Sequence, residues 1–61
     1  MGSEVKWRVV YEVPVIEEDW FYGVTSEDAM QTLIDNGPIG AKPLYAYLEE
    51  FPDEKFDWPW G

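Results

Sequence analysis

Residues 5–15 read Val5-Lys6-Trp7-Arg8-Val9-Val10-Tyr11-Glu12-Val13-Pro14-Val15. On an extended chain Val5, Trp7, Val9, Tyr11, Val13 and Val15 fall on one face, and Lys6, Arg8, Val10, Glu12 and Pro14 on the other. Successive side chains of a strand point to opposite faces, so this alternation is the strand period and not the helical one. The β-branched and aromatic content agrees, and the whole stretch is predicted as one strand. Pro14 has no N–H to give to a ladder, so the strand is expected to lack a neighbour on that side near its end.

Outward from this strand, Ile16-Glu17-Glu18-Asp19 reads as a hairpin connection and Trp20 to Val24 as the returning strand. Trp20, Tyr22 and Val24 share a face there, and Gly23 marks a bulge or a bend. Thr25 or Ser26 caps a helix whose first turn holds Glu27 and Asp28, which suit the positive end of its dipole. Ala29, Met30, Leu33 and Ile34 recur at helical spacing as one apolar stripe. Asn36-Gly37-Pro38 ends the helix, with Asn or Gly in the left-handed position. Residues 39–43 read as a loop. Leu44-Tyr45-Ala46-Tyr47-Leu48 alternates again, with the two Tyr opposite Leu44, Ala46 and Leu48.

This order predicts an α+β fold of ββαβ type. The expected sheet has three antiparallel strands in the order 2-1-3, with one helix on the odd-numbered face of the first strand. The other face, with Lys6, Arg8, Val10, Glu12, Tyr45 and Tyr47, is left uncovered. The chain is read as one domain: a loose terminus at 1–4, the ββαβ core at 5–48 and an extended aromatic tail at 49–61.

The tail, Glu49-Glu50-Phe51-Pro52-Asp53-Glu54-Lys55-Phe56-Asp57-Trp58-Pro59-Trp60-Gly61, threads large rings through carboxylates. Phe56, Trp58 and Trp60 alternate, and Pro59 favours an extended backbone at Trp58. Three readings follow. The rings fold back over the open sheet face against Tyr45 and Tyr47, or they stay exposed as anchors for a partner, since Trp and Tyr are enriched at interface hot spots. In the third, they join copies of the chain.

Composition narrows the function. A chain of 61 residues buries only about 60% of its unfolded surface. There is no Cys and no His, so neither disulfides nor the commonest zinc ligands are available. The lack of Cys fits a reducing cytoplasm, where the protein is expected. The chain has 13 acidic against 4 basic residues, a net charge of -9. That balance disfavours direct contact with nucleic acid or anionic lipid and favours fast encounter with a basic surface. No apolar run approaches membrane-spanning length. Without His or Cys, and with Thr25 and Ser26 explained by capping, no catalytic residue is expected and the chain is not read as an enzyme. No cofactor or metal is expected either. Asp53 to Asp57 lacks the Gly and the distant Glu of a calcium loop, and no Gly-rich phosphate cradle is present.

Tyr22-Gly23-Val24-Thr25-Ser26-Glu27-Asp28-Ala29-Met30, followed by a short helix, a Pro/Gly loop and a last strand, resembles the second half of the small T7-type bacteriophage inhibitors of host RNA polymerase. The likeness covers residues 20–48. It implies the strand-strand-helix-strand layout and an origin in a phage or mobile element. That family grips polymerase through arginines on its last strand, and Leu44 to Leu48 contains none.

The expected function is that of a small acidic inhibitor. It would occupy a basic surface of a larger host protein, RNA polymerase or another nucleic-acid-processing enzyme, by imitating nucleic acid. A row of carboxylates stands in for phosphates and rings stand in for stacked bases. Glu49, Glu50, Asp53, Glu54 and Asp57 are the candidates for steering and ion pairing. Phe56, Trp58 and Trp60 are candidate anchors, and Glu17, Glu18 and Asp19 a second acidic contact. The alternative is a structural module that forms a homodimer or homo-oligomer through the open sheet face and the tail.

Overall fold

A computed structural model describes residues 3–60; Met1, Gly2 and Gly61, which belong to the expected loose terminus and tail, lie outside the described residues. The elements are β1 (Val5–Glu12), β2 (Ile16–Gly23), α1 (Ser26–Asn36), β3 (Lys42–Leu48) and β4 (Phe51–Asp57). All strand pairs are antiparallel, and the sheet order is β2-β1-β3-β4. The α+β class holds, but the three-stranded sheet of order 2-1-3 is corrected to four strands. The expected tail turns back at Glu49-Glu50 and becomes β4, paired with β3 through Tyr45–Asp57, Ala46–Phe56 and Leu48–Phe51.

The first hairpin also differs from expectation. β1 stops at Glu12, Val13-Pro14-Val15 forms the loop, and the acidic run from Ile16 to Asp19 is strand, not connection. β1 is central, flanked by β2 and β3, so a proline inside it would leave a ladder carbonyl without a donor. The chain therefore turns there, with the Val13 N–H donating to the Val15 carbonyl at 2.9 Å. Glu12 then opposes Ile16, and the register runs without a shift to Val5 opposite Gly23.

The helix forms where the sequence places it. The Thr25 hydroxyl accepts from the Asp28 N–H at 3.2 Å, which satisfies one of the free donors of the first turn. Its end departs from the expected left-handed cap: Gly37 is extended at φ −89°, and its N–H donates to the Leu33 carbonyl at 2.7 Å. Glycine is needed there because a Cβ would sit 2.4 Å from the Leu33 oxygen. Gly23 is fixed by the same kind of approach. It lies in register and forms no bulge, and a Cβ would meet the Ala29 nitrogen at 2.6 Å as the helix starts across β2.

The core lies between α1 and one sheet face. Trp7, Val9 and Tyr11 of β1, Ala46 of β3, and Ala29, Met30 and Leu33 of α1 are buried together. Ile34, expected in the same stripe, is exposed. The Trp7 indole N–H donates to the Gly23 carbonyl at 3.1 Å, so this buried ring leaves no polar atom unpaired. Ala46 has no side chain beyond Cβ, and across that gap Trp7 meets Phe56 edge to face at 5.7 Å. Trp58 packs on the same core, and its N–H donates to the Leu44 carbonyl at 3.2 Å. The aromatic end of the chain thus closes the helix side of the sheet, and the reading in which it folds over Tyr45 and Tyr47 is overturned.

Candidate functional site

Among the described residues no element covers the sheet face away from the helix, yet its side chains satisfy one another. Lys6 and Arg8 stand over the Trp20 ring at 4.5 and 4.4 Å from its centroid, and Lys55 stands 5.4 Å from that of Tyr45. Tyr45 and Tyr47 stack at 6.2 Å. Glu18 joins the strands: it accepts from Arg8 Nε at 3.2 Å and from the Tyr47 hydroxyl at 3.0 Å. That hydrogen bond raises the Arg8 pKa further, so its charge is permanent. Desolvation first, and the bond to Glu18 second, raise the Tyr47 pKa above the ordinary phenol value. The alternation of β1 and β3 places Lys6, Arg8, Tyr45 and Tyr47 here, as expected. The partnership with Trp20 and Lys55 was not legible, because it depends on the hairpin register and on β4.

The candidate residues are spread along both edges of the sheet. Glu17, Glu18 and Asp19 belong to β2, one edge. Glu18 is occupied by Arg8 and Tyr47. Asp19 Oδ1 accepts from the Trp20 N–H at 2.8 Å. Glu17 opposes Tyr11; burial first, then the charges of Glu17 and Asp19, raise the Tyr11 pKa. Glu49 and Glu50 form the turn before the opposite edge, Asp53 and Glu54 lie in the irregular stretch of β4 between Phe51 and Phe56, and Asp57 opposes Tyr45. Four strands separate the two acidic groups by roughly 14 Å, at ~4.8 Å per strand. Of the 13 carboxylates, only Glu18 has a cation within 4.0 Å among the described residues.

The three candidate anchors are not equivalent. Phe56 and Trp58 are committed to the core side, whereas Trp60 is 72% exposed and donates through Nε1 to Glu27 Oε2 at 3.2 Å. An open cleft of about 560 Å³ is lined by Trp58 and Trp60 together with Ile34, Pro43 and Leu44, and by the charged Glu12 and Lys42. Leu44 reaches this cleft because the β1–β3 register slips between Val10 and Tyr11, leaving Leu44 without a partner on β1. Among the described residues no group of His, Cys, Asp or Glu has the arrangement to hold a metal ion, and no helix is long and apolar enough to cross a membrane.

The chain matches no known protein family, no curated protein and no solved structure.

Proposed function

We propose that this protein is an acidic binding module that occupies a basic, nucleic-acid-handling surface of a larger protein and so blocks it, in the manner of a phage-encoded DNA mimic. The observation that carries this reading is the charge arrangement: a net charge of -9, with a single ion pair among the described residues, displayed along the two edge strands and the β3–β4 turn. Carboxylates left without cations repel one another and cost the fold stability. A surface that keeps this cost is explained by a partner that supplies the missing cations. Glu49, Glu50, Asp53, Glu54 and Asp57 lie in the β3–β4 turn and in β4, which runs beside Leu48 to Tyr45, about 10 Å at ~3.4 Å per strand residue, and they gather five carboxylates over an extent comparable to that of about three phosphates of one DNA strand. Trp60 serves as the anchor at the end of that row, while Phe56 and Trp58 hold the row in place.

The test is affinity capture from a bacterial lysate at low and moderate salt, followed by elution with duplex DNA. Proteins that bind nucleic acid should be retained at low salt and released by the duplex. The Asp53→Asn, Glu54→Gln, Asp57→Asn triple variant should lose them. Retention of the same proteins by the triple variant, or indifference to duplex DNA, defeats the proposal.

A further inference from the structure

The geometry points to β2 as the docking edge for an extended basic segment of a partner, added as a fifth strand. The two outer edges of the sheet are unlike. β4 carries Pro52, a break in register between Ala46 and Leu48, and Lys55, three of the devices that stop strands from pairing further. β2 has no proline, lysine or bulge and runs in continuous register over its eight residues; its one protection is the acidic charge of Glu17, Glu18 and Asp19, which repels an acidic strand and attracts a basic one. In an antiparallel pair, residues alternate between bonding the neighbour and pointing both backbone groups away from it. The Trp20 N–H is bonded to its neighbour's carboxylate, Asp19 Oδ1, which places the Trp20 backbone outward. By alternation the N–H groups of Glu18 and Tyr22 also point outward; an incoming strand pairs with these two and displaces Asp19 Oδ1 to reach the Trp20 N–H between them.

Charge decides the occupant. Glu17 and Asp19 share the helix-side face of β2, whereas Ile16, Trp20 and Tyr22 share the open face with Glu18, whose carboxylate is taken by Arg8 and Tyr47. An incoming strand therefore meets carboxylates on one face and apolar rings on the other. It should carry Lys or Arg at every second position and β-branched or aromatic residues between them. A second copy of β2 is disfavoured, because it would bring its own Glu17 and Asp19 to the same face, like charge against like. This inference rests on the acidic-module reading and adds the mode of engagement and the sequence pattern of the partner segment.

The probe is a capped seven-residue peptide of alternating lysine and valine, added to the full-length protein labelled for amide exchange by NMR. Exchange at Glu18, Trp20 and Tyr22 should slow by about 10-fold or more once a strand bonds those amides. Tyr22→Pro removes one outward donor at a position where an edge strand tolerates proline. It should weaken peptide affinity by about 10-fold, the scale of one backbone hydrogen bond, while Tyr22→Ala changes it by less than about 3-fold. Equal affinity for wild type and Tyr22→Pro, or unchanged exchange at those three amides, overturns the strand-addition mode. If the peptide then still binds with steep salt dependence, the acidic-module reading stands without it. Protection of the same amides in a dimer without peptide would overturn the choice of occupant.

Discussion

The docking of the aromatic segment on the helix side of the sheet is tested at the pair Trp7 and Phe56. Phe56 is 43% exposed, so somewhat more than half of its surface is covered, in part by the Trp7 ring that it meets edge to face beside Ala46. A buried aromatic removes roughly 150–250 Å², so the covered part of Phe56 is about 100 Å² and is worth about 2.5 kcal/mol at ~25 cal/mol per Å². Phe56→Leu keeps part of that area and should cost about 1 kcal/mol, plus the edge-to-face term of about 0.5–1.5 kcal/mol. Trp7→Leu should cost more, about 3 kcal/mol, because the ring is 7% exposed and its N–H bond to Gly23 is lost too. A domain of this length has about 3–9 kcal/mol in all, at ~0.05–0.15 kcal/mol per residue. The double variant must therefore be measured with sucrose and about 0.3 M salt, which raise stability and screen self-repulsion. Urea unfolding of the four species closes a cycle in which the lost Gly23 bond cancels. A coupling of about 0.5–1.5 kcal/mol between the two positions is expected. A coupling near zero, together with a Phe56→Leu cost within ~0.5 kcal/mol, would mean that the segment does not sit on Trp7.

Gly23→Ala should destabilise by about 1–3 kcal/mol, because the helix backbone at Ala29 has no flexible end to move aside; thermal unfolding should fall by several degrees, and an unchanged midpoint would refute the close approach. Trp60→Ala should leave the urea midpoint nearly unchanged, given the exposure of that ring, yet weaken binding to the captured partner by about 10-fold or more; the reverse pattern would make Trp60 a packing residue. The raised phenol pKa values of Tyr47 and Tyr11 mean that the folded state holds these protons more tightly than the unfolded one. Their contribution is complete below pH ~10 and is lost as pH rises through the elevated folded values, so stability should decline above pH ~10 and tyrosinate absorbance should lag there until the chain unfolds.

What was legible in the sequence was whatever repeats with a period. Trp7, Val9 and Tyr11 announce a half-buried strand, and Thr25 followed by Ala29, Met30 and Leu33 announces a capped amphipathic helix. The acidic residues of β2 misled because Glu17, Glu18 and Asp19 have poor strand propensity, and a local reading makes them a turn. Their strand is imposed by pairing with β1, and their charge suits an edge, where water covers one side. β4 was hidden for a different reason. All seven of its residues are exposed, so no burial rhythm marks it, and Pro52 argues against a ladder. It exists because β3 offers an open edge, and because Phe56 and Trp58 have a place to go once Ala46 leaves room. The candidate carboxylates were visible as a list, but their division between opposite edges, and the engagement of Glu18, follow only from the register.

The two edges also explain why the molecule tolerates so much negative charge. Three of its four cations lie over aromatic rings on the open face, and among the described residues only Arg8 pairs with a carboxylate, that of Glu18. Placed instead beside Glu17 and Asp19, Lys6 and Arg8 would relieve the repulsion along the β2 edge. The arrangement does the opposite: Lys6 and Arg8 gather positive charge on the central strand β1 and leave the β2 edge negative, while Lys55 is the one cation of the β4 edge. Self-association through the open face would then set Lys6, Arg8 and Lys55 of one copy against those of the next, and self-association through the β2 edge would set carboxylate against carboxylate. Each surface repels its own kind and attracts its opposite, so raising the salt concentration should favour self-contact and weaken a basic partner's hold. A sedimentation series from 0.05 to about 0.5 M salt separates these opposed slopes. A dimer that strengthens as salt is lowered would show that the charges have been assigned to the wrong faces.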